Sequence, residues 1–337
     1  MPTDAISGAH DAFIAADVGG THVRIGLVRG SHDPGEPVRM LEYRKYACAD
    51  HAGLGDIVAD FLAGLGSTRV TRAVIASAGY ALEDGTVITN NLPWRLSLAE
   101  LRAQLGFDDV RLVNDFEAVA HAAAQMGASE VLQLAGPAIA PKHGPTLILG
   151  PGTGLGAAVW IPSGKRAVVL ATEAGQAALT AGNALEMALL AEMLKTRTHV
   201  PVEHALSGPG LMNLHAALCA VRGAAPSAYT HPGQITAAAR SGDDPLARES
   251  LEVFCGLLGS VVGDMALLYG VQGGVYLAGG ILPKIRDVLI DSPFVPRFLN
   301  KGSMREALER IPVKLVEHGQ LGVIGAARWY LDRDDGN

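Results

Sequence analysis

The sequence is short of several features that would set its class. It has only three cysteines in 337 residues, Cys48, Cys219 and Cys255. They lie far apart and are odd in number, so they give neither a disulfide framework nor a metal-ligand spacing, and they point to a reducing cytoplasm. Charged residues make up 18% of the chain, the net charge is −7, and no Lys/Arg cluster stands out. That balance disfavours nucleic acid as a partner. The polar stretch from Met1 to Ala12, with Asp4, His10 and Asp11, does not read as a signal peptide. The longest apolar stretches read as interrupted before the length a membrane span needs, so no membrane partner is expected. There is no HExxH and no GxSxG elbow, and Gly150 to Gly156 lacks the terminal Gly-Lys-Ser/Thr of a Walker A loop.

Glycine is what the sequence has in quantity, 41 residues spread through turns. Hydrophobic residues make up 49%, and the length allows two domains with a large buried core. Two glycine turns dominate the reading: Asp17-Val18-Gly19-Gly20-Thr21, and Gly150-Pro151-Gly152-Thr153-Gly154-Leu155-Gly156. Each follows an apolar strand-like run and leads into another, Val23 to Val28 and Ala157 to Ile161. Glycines at such a tip let backbone N–H groups approach a ligand. Thr21 and Thr153 add a hydroxyl at the same place in each turn, about one domain length apart. Two such turns facing each other would clamp a polyphosphate.

Periodicity predicts three consecutive strands, Phe13 to Val18, His22 to Arg29 and Val38 to Tyr46, then a helix over Gly53 to Leu65. A strand over Arg69 to Ala78, a helix over Ser97 to Leu105, a strand over Val110 to Val113 and an Ala-rich helix from Asp115 to about Met126 follow. The second half repeats the theme. Its strands are Thr146 to Gly150, Ala157 to Ile161 and Ala167 to Leu170, followed by helices at Ala184 to Lys195, Gly210 to Val221, Gly233 to Arg240 and Pro245 to Tyr269. A strand over Gly274 to Ala278, a helix over Ile281 to Ile290, a strand over Val313 to Val316 and a helix over Gln320 to Asp332 complete it. Both halves share a hairpin-first βββαβα plan, which suggests an internal duplication. Gly136 to Gly144, with two prolines and no periodicity, reads as the linker.

Several residues fit chemistry at such turns. Asp17 beside bound phosphates can hold Mg²⁺ through water; the plainer alternative is a hairpin turn with a solvated Asp. Gly279-Gly280 follows a strand and precedes a helix, so its backbone can approach a nucleotide base or ribose, or be a simple β–α connection. Asn114-Asp115 ends a strand and begins a helix, where ligands of open α/β sheets bind. Asp115 there can accept a proton from a hydroxyl, or can simply cap the helix. Glu173 and Gln176 in Thr172-Glu173-Ala174-Gly175-Gln176, and Glu203 in Val202-Glu203-His204, suit the adjacent hydroxyls of a sugar. Their alternative is the solvated surface, the usual place for Glu.

In this order the motifs resemble the bacterial glucokinases of the hexokinase and actin-like ATPase superfamily. The matching segments are Asp17 to Thr21, Thr89-Asn90-Asn91, Leu112-Val113-Asn114-Asp115-Phe116, Gly150 to Gly156, Glu173 to Gln176, Leu206-Ser207-Gly208-Pro209-Gly210-Leu211 and Leu277-Ala278-Gly279-Gly280-Ile281. The resemblance runs from about residue 13 to the C-terminus. It implies an α/β, two-domain actin-like ATPase (ribonuclease H-like) fold with an interdomain cleft that closes on substrate. The small domain would comprise residues 1–125 and 319–337, because the C-terminal helix packs back on it, and the large domain residues 126–318 with a helical insertion.

The resemblance also implies roles. Asp17, Val18, Gly19, Gly20 and Thr21 would form the first phosphate loop and Gly152, Thr153 and Gly154 the second, with ATP–Mg²⁺ between them and Gly279-Gly280 near the adenosine. Asp115 would be the base that activates the sugar 6-hydroxyl. Asn114, Glu173 and Glu203 would hold sugar hydroxyls, and the Thr89 to Trp94 segment, with Asn91, would lie over the sugar. A homodimer is the family expectation, in line with the prevalence of two-fold oligomers. The chain departs from the family at one place: Glu173-Ala174-Gly175-Gln176 stands where the family usually has Glu-Gly-Gly-His. Gln donates and accepts, so it can bond a hydroxyl as His does, but its reach differs and it does not titrate near neutral pH.

The reading is therefore an ATP-dependent hexose kinase, glucose being the first candidate. Another hexose, and polyphosphate as donor in place of ATP, stay open. A sugar sensor with little turnover is the rival suggested by Gln176. A superfamily ATPase with a protein partner is the third, and it has no use for the sugar-hydroxyl residues. The zinc motif and the N-terminal helix-turn-helix of the related repressor-kinase group are not seen, since only about 12 residues precede the first strand.

Overall fold

The computed structural model describes residues 12–30, 36–88, 92–123, 126, 130–138, 144–164, 166–317 and 319–334. The chain divides into two compact units, Met1–Met126 with Gly319–Asn337, and Gly127–His318.

The first unit opens with β1 (Phe13–Val18), β2 (His22–Arg29) and β3 (Arg39–Ala47), then α1 (Leu54–Ala63) and β4 (Arg72–Ser77). Three very short strands, β5 (Tyr80–Ala81), β6 (Thr86–Ile88) and β7 (Leu96–Ser97), make a small sheet of their own. α2 (Leu98–Leu105), β8 (Asp109–Val113) and α3 (Asp115–Ala123) follow, and the helix Leu321–Asp334 returns from the C-terminal end. The main sheet has the order β3-β2-β1-β4-β8. β1 pairs antiparallel with β2 and parallel with β4, and β4 pairs parallel with β8.

Apart from Asp17, β1 is apolar on both faces, so it shows no polar alternation. Its even residues Ile14, Ala16 and Val18 pack with Ile57, Val58 and Phe61 of α1 and Leu101 of α2. Its odd residues Phe13 and Ala15 pack with Ala118 of α3 and Val323, Ala327 and Tyr330 of the C-terminal helix. Helices on both faces thus leave the strand ends as the free edge of the layer. Polar bonds fix the C-terminal helix: Trp329 Nε1 donates to Glu117 Oε1 (2.7 Å) and Tyr330 Oη to Asp109 Oδ2 (2.7 Å).

The second unit begins with β9 (Val131–Ala135), then the meander β10 (Thr146–Pro151), β11 (Leu155–Ser163) and β12 (Arg166–Thr172). Four helices follow, α4 (Ala184–Leu194), α5 (Gly208–Arg222), α6 (Pro232–Ser241) and α7 (Pro245–Leu268). β13 (Gly274–Leu277), α8 (Arg286–Asp291), α9 (Phe294–Phe298), α10 (Arg305–Glu309) and β14 (Val313–Val316) complete it. The sheet order is β12-β11-β10-β13-β14-β9. β10 is antiparallel to β11 and parallel to β13, and β13 is parallel to β14. α7 runs through the core beneath this sheet, with Leu251, Phe254, Leu258 and Val262 fully buried.

A buried ion pair ties three of these helices together. Arg297 on α9 forks onto Glu186 of α4, Nη1 to Oε1 at 2.7 Å and Nη2 to Oε2 at 2.8 Å, and its Nε donates to Ser260 of α7 at 3.0 Å. The Gly182 N–H adds a bond to Glu186 Oε2 (2.7 Å). The side chains are 15% and 3% exposed, so each charge depends on the other for its solvation.

Three expectations need correction, and one strand falls where the sequence reading assigns no element: β9, a five-residue edge strand paired antiparallel with β14. Because β9 belongs to the second unit, residues 136–138 and 144 lie inside that unit and not at the boundary, which falls at 126/127; residues 139–143 of the expected linker lie outside the described residues. The helix expected over Ile281 to Ile290 is a 3₁₀ turn, Leu282–Ile285, followed by α8. Finally, α7 is long and apolar enough to cross a membrane by length and composition alone, contrary to the expectation that no stretch reaches that length; 78% of its apolar window is buried within the unit.

Replacing Arg297 with Ala strands a buried carboxylate. Loss of about 3–5 kcal/mol of stability is expected, read as a lower unfolding midpoint in urea followed by circular dichroism.

Candidate functional site

Strand register decides what comes together in each unit. In the first unit Val18 of β1 stands beside Ser77 of β4, and Ala76 of β4 beside Val113 of β8. The residues that follow, Gly19-Gly20-Thr21, Ala78-Gly79 and Asn114-Asp115, therefore leave the same edge of the sheet, the carboxyl ends of its parallel strands. Ligands of open α/β sheets bind at that edge. The turn is closed by the Gly19 N–H donating to His22 O (3.1 Å). The N–H groups of Gly20 and Thr21 have no backbone partner among the described residues. Ser77 is buried, its hydroxyl donating to Val18 O (3.3 Å) or Ala78 O (3.2 Å), which stitches β4 to the turn.

Asp17 sits one residue inside β1, opposite Arg24 on β2. Arg24 Nη1 donates to Asp17 Oδ2 at 3.1 Å. Burial pushes the Asp17 carboxyl above its ordinary value, and the Arg24 guanidinium works against that shift without cancelling it. The first turn of the C-terminal helix closes on the same carboxylate. A Cβ on Gly322 would lie 2.6 Å from Asp17 Cγ, so only glycine permits this approach. Arg24 and Gly322 are absent from the sequence reading. The signal for Arg24 was a lone cation in the apolar run Val23 to Val28, placed opposite Asp17 once the hairpin register is drawn. Gly322 had no local signal.

The Asn114-Asp115 pair differs from expectation in one respect. Asn114, not Asp115, caps α3: Asn114 Oδ1 accepts from the N–H groups of Phe116 and Glu117, both at 3.0 Å. Asp115 is the first helical residue, and its Oδ1 accepts from the Phe116 N–H at 2.9 Å. With its oxygen engaged twice, Asn114 presents its NH₂ group as a donor. Asn91, with Thr89 and Asn90, lies outside the described residues. Leu92 and Trp94 of the same segment pack against the apolar cluster beneath α1 and α2.

In the second unit Leu149 of β10 stands beside Leu277 of β13. The Gly152–Gly154 turn and Gly279-Gly280 leave that sheet at one edge as well. Ala278 N–H donates to Leu149 O (2.8 Å). Gly279 has φ 94°, and a Cβ there would meet Pro151 O at 2.5 Å, so the two turns touch backbone to backbone. The Gly152 N–H closes its own turn onto Gly154 O (2.7 Å), and the Gly208 N–H at the start of α5 donates to Gly152 O (2.8 Å). The N–H groups of Thr153 and Gly154 have no backbone partner among the described residues.

Glu203 and Gln176 join this turn. Gln176 Nε2 donates to Glu203 Oε1 (2.8 Å), and Leu155 N–H donates to Glu203 Oε2 (3.3 Å). Glu173 is exposed and opens the 3₁₀ turn Ala174–Gln176, with the Gln176 N–H donating to its carbonyl (2.9 Å). Ser207 caps α5 by accepting from Gly210 N–H (2.9 Å) and donates to Glu203 O (2.7 Å). Neighbouring His204 is half-buried, and burial lowers its pKa; Arg197 adds to that effect. The second unit thus brings Gly154, Leu155, Gly175 and Gln176 around the Glu203 carboxylate.

Glycine-turn hairpins in two sheets, helix-covered strands and a carboxylate at a parallel strand end define a mixed α/β fold of the sugar-kinase class. The comparisons agree. A crystal structure of a glucokinase from an Antarctic psychrotroph superposes with a TM-score of 0.81 at 33% identity, covering 95% of this chain and 98% of that one. A "glucokinase-like protein" of Xylella fastidiosa (strain 9a5c) is 56% identical over 322 residues, 96% of this chain and 95% of the relative. A ROK family glucokinase from Streptomyces griseus, crystallised with glucose and AMPPNP, shares the fold at 22% identity and a TM-score of 0.64, covering 94% and 98% of the two chains. Residues 14–333 match the glucokinase family as a whole, and the chain belongs to that family.

The cap can be tested apart from any ligand. Asn114→Ala removes both cap bonds and is expected to cost about 1 kcal/mol of unfolding free energy, whereas Asn114→Asp keeps an accepting oxygen and most of the stability. Urea unfolding of the two variants separates them; equal losses would show that Asn114 is no cap.

Proposed function

We propose that this protein is an ATP-dependent hexose kinase that transfers the γ-phosphate of ATP to the 6-hydroxyl of glucose. The observation that carries the reading is the row at one sheet edge, where the Gly19–Thr21 turn and Asp115 emerge from register-matched parallel strands. Family membership supports the reaction class, and the glucose and AMPPNP complex of the Streptomyces griseus relative supports the ligands. The matching order of strands in the two sheets supports reading the halves as a duplication, each with its own phosphate turn. The domains are proposed as 1–125 with 319–337 and 126–318, and the enzyme as cytoplasmic and homodimeric.

The roles follow from chemistry. Asp115 takes the proton of the 6-hydroxyl as that oxygen attacks phosphorus, since an alkoxide is a far better nucleophile than an alcohol. Asn114, its oxygen held by the α3 cap, donates from its NH₂ group to a sugar hydroxyl. Glu173 and Glu203 accept from sugar hydroxyls, Gln176 offers its side-chain oxygen, and Asn91 is proposed to contribute from the segment before Leu92. The backbone N–H groups of Gly20 and Thr21, and of Thr153 and Gly154, are available to phosphate oxygens, with Val18 and Gly19 setting the first turn. Gly279 and Gly280 approach the nucleoside.

The residues present fit Mg²⁺. Among the described residues no three His, Cys, Asp or Glu side chains gather as a metal cage. A single carboxylate with waters is how Mg²⁺ is commonly held, and Asp17 has its Oδ1 free of the Arg24 bond. When bound, the ion neutralises charge on the transferring phosphate.

A second reading, a sugar-binding regulator with little turnover, is favoured by Gln176 at the place where the family usually carries His. A coupled assay with ATP and glucose, mannose, fructose and N-acetylated hexosamines distinguishes the two. The kinase reading expects ADP release with at least one hexose, glucose first. Sugar binding without ADP release would establish the regulator. In the same assay Asp115→Asn is expected to lower kcat by about 10²–10⁴-fold while sugar binding by calorimetry changes little, and a wild-type rate would remove Asp115 as the base.

A further inference from the structure

The bonds around Glu203 form a closed ring. Its Oε2 accepts from Leu155 N–H, immediately after the glycine turn, at 3.3 Å, and its Oε1 accepts from Gln176 Nε2 at 2.8 Å. Its own carbonyl accepts from Ser207 Oγ at 2.7 Å. Ser207 caps α5, and the first N–H of that helix, Gly208, holds Gly152 O at 2.8 Å. The turn is therefore gripped at Leu155 by the Glu203 side chain and at Gly152 through the Glu203 main chain.

The carboxylate also has little room to shift. A Cβ on Gly154 would lie 2.7 Å from Oε2, and one on Gly175 would lie 3.3 Å from the same oxygen and 2.5 Å from Leu155 O. Two glycines from different segments thus leave space for this one group. Both carboxylate oxygens are engaged, yet each keeps a further lone pair for a ligand hydroxyl. With one Nε2 hydrogen committed to Glu203, Gln176 keeps its second N–H and its side-chain oxygen for a ligand.

Resting on the kinase reading, we propose that Gln176 is a positioning residue that couples the two substrates: through Glu203 it fixes the Gly152–Gly154 turn, so that sugar and nucleotide bind this unit cooperatively. A hydroxyl placed on Glu203 firms the carboxylate that holds the turn, and phosphates on the turn firm the carboxylate in return. Such coupling is reciprocal by thermodynamic necessity. A His at position 176 can donate the same bond from a ring N–H but titrates near neutral pH, whereas the Gln bond does not depend on ring protonation.

The test is a calorimetric cycle with AMPPNP and glucose, or with whichever hexose of the panel turns over fastest. In the wild type, saturating sugar is expected to tighten AMPPNP by about 5-fold or more, and AMPPNP to tighten sugar by the same factor. Gln176→Ala is expected to reduce that factor at least about threefold, and Gln176→His to restore it at a pH where the ring is neutral. A residue with a merely structural role would weaken each ligand alone and leave the factor unchanged. Gln176 is exposed, so Gln176→Ala should retain the wild-type melting temperature. Gly154→Ala probes the same link from the turn and is expected to weaken sugar binding without nucleotide present. Both ligands binding to the wild type without coupling, or a smaller fall in Gln176→Ala, would overturn the inference alone. A wild type that binds neither ligand would overturn the kinase reading with it.

Discussion

Everything at the candidate site depends on one pairing constraint. In each unit a central strand pairs antiparallel with its hairpin partner on one side and parallel with a crossover strand on the other. β1 does this between β2 and β4, and β10 between β11 and β13. Such a strand forces the hairpin turn and the carboxyl ends of the parallel strands onto one edge. With helices on both faces of the first sheet, that edge is where backbone N–H groups remain to be satisfied. The glycine turns lie there because the topology leaves that position to them.

Charge at this edge is held by partners that also serve the fold. Asp17 is pushed toward protonation by burial and drawn back by Arg24, while the C-terminal helix reaches it through Gly322. Asn114 spends its side-chain oxygen on the α3 cap. Glu203 holds a turn with one oxygen and accepts from Gln176 with the other. In each case a fixed hydrogen bond removes rotational freedom before any substrate arrives, which is how polar groups become preorganised. Away from the edge the same economy holds the second unit, where the Arg297–Glu186 fork joins α4, α7 and α9.

Much of the first unit's chain order is legible because its signals are local. Phe13 to Val18 and His22 to Arg29 match their strands residue for residue, since an apolar run bounded by Gly19-Gly20-Thr21 has one natural reading. Ser97 as a cap with Glu100 three residues on is likewise a local signature, and the bond is there at 3.2 Å. β5 to β7 are not legible, because strands of two or three residues are too short to show a period. Over Ile281 to Ile290 the apolar spacing marks a helical segment but not its division into a 3₁₀ turn and α8. Asp115 as the cap fails because Asn114 and Asp115 are both good capping residues, and only the backbone direction at the end of β8 selects the first.

By itself the sequence determined which chemistry was on offer: two glycine turns, the Asn114-Asp115 step, the carboxylates Glu173 and Glu203, and the substitution of Gln176 for the family's usual His. These are properties of residue type and near spacing, and they survive in one dimension. The tertiary structure decided which groups are partners. Arg24 meets Asp17 only through hairpin register, and Gly322 reaches the same carboxylate from the far end of the chain. Glu203 meets Leu155 across 48 residues and Gln176 across 27. Contacts between distant segments are set by how sheets pair and helices pack over the whole chain, and no local pattern encodes them.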